Sequence, residues 1–190
     1  MLKNPNNMLI VMGLVTLVMF PILAFPVLYF QDIQYLSIFE IDLSEIRLIP
    51  VFLAIGILFG LFVIWFTELN YFEQALKPIK NRLDQFKITS FYAIFLSVCA
   101  GLGEEIFFRG ALQPLCGIWI TAFFFVLIHG YFSFKNLRLN YFGIVLTLFI
   151  AFIGWSSKTF NLWTAIAAHF SYDLVLLFYY RYQRSIAVDS

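Results

Sequence analysis

Six ionisable residues in the second half of the chain have the types and spacings that hydrolysis requires. Two adjacent carboxylates are followed by a guanidinium, and two histidines come later, the second with a carboxylate four residues beyond it. In chain order these residues are Glu104, Glu105, Arg109, His129, His169 and Asp173. A carboxylate can remove a proton from water, and an imidazole beside it can share that proton. The set therefore predicts a hydrolase that needs no serine nucleophile.

Helical spacing separates the two adjacent carboxylates. On an α-helix Glu105 and Arg109, four residues apart, differ by about 40° around the axis and can pair. Glu104 is rotated about 100° from Glu105, so the two carboxylates face different surfaces. His169 and Asp173 are also four residues apart and share one helix face. We therefore expect Arg109 to neutralise one carboxylate while the other faces a different part of the protein.

The composition of the chain predicts that these residues lie in a protein embedded in a lipid bilayer. Of the 190 residues, 62% are hydrophobic and only 12% are charged, which excludes an ordinary soluble domain. The 12 Lys and Arg residues nearly balance the 11 Asp and Glu residues, so nucleic acid is not an expected partner. Cys99 and Cys116 lie in apolar stretches without the spacing of a disulfide framework or a cysteine zinc site.

Six apolar runs approach the roughly 20 residues that a helix needs to cross the hydrocarbon core. They predict an all-α, polytopic membrane bundle of about six transmembrane helices in a single domain, 1–190. Residues 1–87 would form N-terminal helices and an amphipathic connector, and residues 88–180 the core that carries the ionisable residues. The first run is longer than a signal-peptide core, so we interpret it as a retained helix. The runs are Met8–Phe30, Leu48–Phe66, Ile88–Leu115, Ile118–His129, Leu139–Trp155 and Leu162–Tyr180.

The ionisable residues lie at similar depths in these runs. With a turn near residues 116–117, Glu104 and His129 both fall about 18 Å below the same end of a helical hairpin. His169 and Asp173 lie at a comparable depth in the sixth run. Burying a charge in the hydrocarbon costs several kcal/mol even on the lenient insertion scale. Several such residues in one layer therefore indicate a functional site inside the membrane.

The distribution of Lys and Arg between the runs predicts the orientation in the membrane. Nine of these residues fall on one side and two on the other, so both termini should be cytoplasmic. We expect an integral protein of a bacterial inner membrane. The nine are Lys3, Lys77, Lys80, Arg82, Lys87, Lys135, Arg138, Arg181 and Arg184, and the two are Arg47 and Lys158.

The connector between the second and third runs has an amphipathic pattern. Apolar residues recur from Leu69 to Phe86 at steps of three and four, with cations between them. Such a segment can lie on an anionic membrane surface or pack its apolar side on the bundle. Pro78 predicts that the helix is broken.

Three motifs in this order resemble those of the CAAX protease and bacteriocin-processing family of intramembrane endopeptidases. Residues 104–109 match EExxxR, residues 125–129 match FxxxH, and residues 169–173 match HxxxN/D. The resemblance covers roughly Ile88 to Tyr180. It implies an all-helical membrane core that hydrolyses a peptide or membrane-protein substrate, which need not be prenylated.

The resemblance also implies a role for each residue. Glu104 would be the general base and His129 its partner, and His169 with residue 173 would stabilise the oxyanion. The remaining two motif residues, Glu105 and Arg109, would be a structural pair. The prenyl endopeptidases have Asn where this chain has Asp173, and an ionised carboxylate cannot donate a hydrogen bond to an oxyanion.

Three alternatives remain open from the sequence. Zinc is a candidate cofactor, with Glu104, His129, His169 and Asp173 as its ligands, although the chain has no HExxH motif. The protein could instead be a catalytically inactive immunity or partner-binding protein that keeps the fold. A proton-coupled carrier would also use buried Glu, His and Asp residues, as a relay.

Overall fold

The structure, a computed structural model, describes residues 5–189, except for the side chains of residues 5, 70, 71, 73–75, 78, 79 and 185–189. The predicted cytoplasmic residue Lys3 lies outside the described residues. Seven helices and the short 3₁₀ helix Tyr35–Phe39 form the described chain, without a strand, which confirms the all-α prediction. The helices are α1 Pro5–Tyr29, α2 Leu48–Thr67, α3 Asn70–Leu83, α4 Ser90–Cys116, α5 Ile118–Ile128, α6 Leu137–Thr159 and α7 Leu162–Asp189.

Five of these helices are long and apolar enough to cross a membrane, namely α1, α2, α4, α6 and α7. The fourth predicted run, Ile118–His129, corresponds to α5, which is apolar but has only 11 residues. Helices suit this environment because they satisfy their backbone hydrogen bonds internally where no water is present. Large apolar side chains remain exposed along α1, as contact with lipid requires, and Val15, Val18 and Ile22 are about half exposed.

Local sequence signals explain where two of the central helices begin. Thr89 precedes α4, and its side-chain oxygen accepts a hydrogen bond from the backbone N–H of Tyr92. Asn136 precedes α6 and accepts in the same way from the N–H of Leu139. Such caps satisfy N–H groups that have no partner within the helix.

Helix α7 is the centre of the bundle, because it packs against α2, α4 and α6. The contact with α2 is close at Gly56, where a side chain would collide with the Ala168 carbonyl and the Ser171 hydroxyl. Aromatic rings fill the adjacent space, and Phe59 stacks on Phe149 with centroids 3.9 Å apart. Such a pair contributes about 0.5–1.5 kcal/mol beyond the area it buries. The packing holds α7, and therefore its ionisable residues, in a fixed position.

The amphipathic connector forms α3 and packs on the bundle. Phe72 is buried against Phe66, and Leu76 packs on the same cluster, while Phe86 is buried in a second cluster beyond the end of the helix. The described apolar side chains therefore favour packing on the bundle over a position on an anionic membrane surface. The prediction of a break was wrong, because the helix continues through Pro78. Burial of one face stabilises the helix against the loss of a backbone hydrogen bond.

A feature that the sequence did not predict interrupts α4. Residues Ile106–Leu112 are π-helical, and the N–H of Gln113 bonds to the carbonyl of Phe108, five residues earlier. Insertions of this kind occur frequently at functional sites. This one begins directly after the two adjacent glutamates, Glu104 and Glu105, and contains Arg109.

Candidate active site

The residues predicted from the sequence meet at one place between three helices. α4 contributes the adjacent glutamates and the arginine, the end of α5 contributes one histidine, and α7 contributes the other histidine with its aspartate. Four of them line a cavity of about 110 Å³ together with apolar and aromatic residues. The lining consists of Glu104, His129, His169 and Asp173, with Phe125, Val126, Tyr131, Leu146, Ile150 and Tyr172.

Glu104 and His129 face each other across this cavity from different helices. The Glu104 Oε2 atom is 3.6 Å from the His129 Nε2 atom, and Oε2 has no hydrogen-bond partner in the described part of the protein. The other ring nitrogen of His129, Nδ1, is 2.6 Å from the carbonyl oxygen of Phe125. Because a carbonyl only accepts, Nδ1 carries a proton and Nε2 is left to exchange a proton at the carboxylate. The pair can therefore share a proton taken from water.

Glu105 has a different environment, although it is the next residue. Its Oε2 atom is 3.1 Å from Nε of Arg109, and its Oε1 atom is 2.7 Å from Nδ1 of His169. The side chain of Glu105 is fully buried, and that of Arg109 is only 1% exposed. The sequence predicted the pairing of Glu105 with Arg109 but not the bond to His169. Glu105 therefore links the arginine to the second histidine of the site.

The bond from Glu105 sets the orientation of His169. With Nδ1 directed at Glu105, the Nε2 atom is directed at Asp173 and lies 3.5 Å from its Oδ2 atom. Phe125 packs edge-on against the His169 ring with centroids 5.6 Å apart. His169 and Asp173 thus line the cavity from α7, whereas His129 lines it from the end of α5. Fixing one ring nitrogen of a histidine defines what the other nitrogen can do.

Sequence reasoning missed the two polar cavity residues Tyr131 and Tyr172. Tyr172 lies one residue before Asp173 and packs its ring on Phe149 with centroids 5.4 Å apart. Tyr131 follows the end of α5, beyond the motif that ends at His129. A glycine after an apolar run is a helix-ending signal, and Gly130 could have indicated that the next residue turns back toward the helix.

The four predicted zinc ligands do not form a metal site as their side chains are placed. Within the described residues, no three His, Cys, Asp or Glu side chains are grouped to hold a metal ion. The site consists instead of two pairs, Glu104 with His129 and His169 with Asp173, and one nitrogen of each histidine faces another acceptor. As placed, these four side chains are therefore not gathered around one common point where a zinc ion would sit.

Comparison with known proteins identifies the part of the chain that carries the site. Residues 86–175 match the family model described as Rce1-like, type II CAAX prenyl endopeptidase. No curated protein and no solved structure matches the chain. The matched segment includes all three motifs and every ionisable residue of the cavity. The chain is thus an integral membrane protein whose residues 86–175, which carry the site, match the type II CAAX prenyl endopeptidase family.

Proposed function

We propose that the protein cleaves a peptide bond within the membrane by using a water molecule activated by Glu104 and His129. The observation that carries this proposal is the placement of these two side chains, from different helices, across one cavity at 3.6 Å. The cavity is surrounded by apolar and aromatic residues that limit the access of bulk water. A carboxylate and an imidazole in such a site form a general acid–base pair.

The reaction balances with one water molecule. Glu104 removes a proton from the water, whose oxygen bonds to the carbonyl carbon of the substrate while the π electrons move to the carbonyl oxygen. The C–N bond then breaks as the carbonyl re-forms, and the leaving nitrogen takes the proton from Glu104. The second water proton leaves the new carboxylic acid. His129 stabilises the proton on the pair between these steps.

The second pair and the buried cluster support this reaction. His169 and Asp173 line the same cavity as Glu104, with Nε2 of His169 3.5 Å from Oδ2 of Asp173. Glu105 orients His169, and Arg109 balances the charge of Glu105 inside the protein. Holding groups in place before the substrate arrives lowers the barrier, because nothing has to reorganise in the transition state.

The substrate is proposed at the level of a class. A peptide segment, from a membrane protein or a bacteriocin precursor, must reach the cavity at membrane depth in an extended form. The match to a prenyl endopeptidase model makes prenylated C-terminal peptides the first class to try. Peptides of the same sequence without the lipid show whether a prenyl group contributes to recognition.

The test is cleavage of a peptide library by the purified protein in liposomes. We expect specific cleavage by the wild type and none by Glu104→Ala, while Glu40→Ala, an exposed glutamate in a loop, remains active. Equal cleavage by the Glu104→Ala variant would show that the site is assigned incorrectly. A proton flux across the same liposomes in the absence of cleavage would favour the carrier alternative.

We also propose that both termini and α3 face the cytoplasm of a bacterial cell. The exposed cations Lys77, Lys80 and Arg82 on α3 support this orientation, because cytoplasmic segments are enriched in Lys and Arg. Reporter fusions near Lys80 and at the C-terminus should give cytoplasmic signals. A fusion in the loop at residues 40–47 serves as the control on the opposite side. A periplasmic signal near Lys80 would invert the orientation.

A further inference from the structure

Tyr131 reaches the cavity because of the way in which α5 ends. Gly130 has a φ angle of 79°, a conformation that glycine adopts without steric cost. The N–H of Gly130 bonds to the carbonyl of Leu127, and the N–H of Tyr131 bonds to the carbonyl of Val126. These two bonds are those of a Schellman motif, which turns the chain back over the last turn of the helix. Tyr131 is therefore held next to His129 and lines the same cavity.

The proposed reaction needs a hydrogen-bond donor to the oxyanion. The pair formed by His169 and Asp173 does not supply this donor directly. Nδ1 of His169 donates to the carboxylate of Glu105, which is paired with Arg109. A neutral imidazole then has no second N–H, and a charged one directs its Nε2–H at Asp173, 3.5 Å away. Asp173 itself cannot donate while it is ionised. An ionised Asp173 therefore lacks the N–H donor that an Asn at this position would provide.

We propose that the hydroxyl of Tyr131 is the donor that binds the substrate carbonyl oxygen as it becomes an oxyanion. This inference rests on the proposed endopeptidase function. Among the residues that the structure describes, the Tyr131 hydroxyl has no hydrogen-bond partner, although its ring packs edge-on against Phe142 with centroids 5.4 Å apart. The ring is fixed while the hydroxyl remains unused. A fixed donor of this kind is what an oxyanion site requires.

The hydroxyl of Tyr131 keeps its proton under ordinary conditions. Tyr131 lies outside the membrane-spanning helices, in the loop after α5. Burial, with the nearby carboxylates of Asp173 and Glu104, raises the pKa of Tyr131 to about 12. The O–H is therefore present at neutral pH. The hydroxyl is close enough to Glu104, the proposed base, for the two groups to interact electrostatically.

Tyr172 is the other tyrosine of the cavity and is less suited to this role. Its ring is held between Phe59 and Phe149, with centroid distances of 5.5 and 5.4 Å. The residue is only 7% exposed and lies on α7, within the aromatic core. Tyr131 is partly exposed and lines the cavity beside His129. We assign packing to Tyr172 and donation to Tyr131.

The first test compares Tyr131→Phe with Tyr141→Phe, which removes the same hydroxyl from an exposed position on α6. Loss of one oxyanion donor costs about 10²–10³ in kcat. We expect that loss in Tyr131→Phe, with KM unchanged within about twofold and the same thermal midpoint, because only transition-state binding is removed. Tyr141→Phe should behave as the wild type. A wild-type kcat in Tyr131→Phe would overturn the proposal.

Two further measurements separate donation from packing. In the Tyr131→Phe background, Asp173→Asn should restore part of kcat, since the amide of Asn can donate where the carboxylate cannot. A peptide phosphinate, which mimics the tetrahedral intermediate, should bind Tyr131→Phe more weakly than wild type, whereas the matching uncleaved peptide binds both equally. Equal phosphinate affinities would overturn the proposal even if no peptide were cleaved. An inactive wild type would refute the endopeptidase function separately.

Discussion

Two adjacent glutamates on one helix have opposite environments in this protein. Glu104 faces the cavity, its side chain is 11% exposed, and its neighbour His129 stands 3.6 Å away. Glu105 is sealed in the interior, 2.7 Å from His169 and 3.1 Å from Arg109. The residues are chemically identical, so the difference arises from the rotation of about 100° between them.

Under the proposed mechanism, this difference allows one sequence motif to provide both a reactive and a supporting carboxylate. A carboxylate that keeps an unpartnered oxygen beside a cavity can accept a proton from water. A carboxylate with two close partners is neutralised and holds those partners in place. We therefore expect substitutions of Glu104 or its partner His129 to reduce activity. Substitutions of Glu105 or its partner Arg109 should reduce stability.

The largest effect on activity after loss of the base itself is expected from His129→Gln. Removal of an acid–base partner reduces kcat by about 10²–10⁴. The side chain of His129 is one-third exposed, so the thermal midpoint should change little. Steady-state cleavage and thermal unfolding of the same preparations test both parts. A variant that retained wild-type kcat would remove His129 from the mechanism.

Arg109→Ala should have the largest effect on stability. The guanidinium is buried, lies over Phe125 at 5.0 Å and neutralises Glu105. Its removal leaves a buried carboxylate without its charge partner, which costs about 3–5 kcal/mol. Denaturant unfolding in detergent measures the loss, with Lys158→Ala as an exposed control. A free energy of unfolding equal to that of the wild type would contradict the pairing.

The smallest effect on cleavage activity is expected from the substitution Asp173→Asn and from chelators. A metal-free site should keep most of its activity when Asn replaces Asp173, because the amide adds a donor where the carboxylate has none. Chelation should then leave the rate of the wild type unchanged. Inhibition by a chelator, recovery with zinc and loss of activity in Asp173→Asn would together show that the residue is a metal ligand.

Much of this architecture could be predicted because it follows from the spacing of residues along helices. The apolar runs predicted the helices. The distances of Glu104 and His129 from the turn near residues 116–117 predicted that the two residues lie at a common depth. The link from Glu105 to His169 could not be predicted, because it depends on how α4 and α7 pack. The π-helical turn after Glu105 has no pattern of apolar residues that distinguishes it from an α-helix. The position of Tyr131 in the cavity could not be predicted either, because it depends on how α5 ends rather than on a sequence motif.

The most direct test compares Glu104→Gln with Glu105→Gln in the same detergent, by cleavage rate and thermal unfolding. Both substitutions remove one negative charge and keep nearly the same shape, from adjacent positions. The account predicts that Glu104→Gln abolishes cleavage with an unchanged thermal midpoint, since only the base is lost. Glu105→Gln should lower the midpoint, because Arg109 loses its charge partner. Wild-type cleavage by Glu104→Gln would contradict the central claim that this carboxylate activates the water.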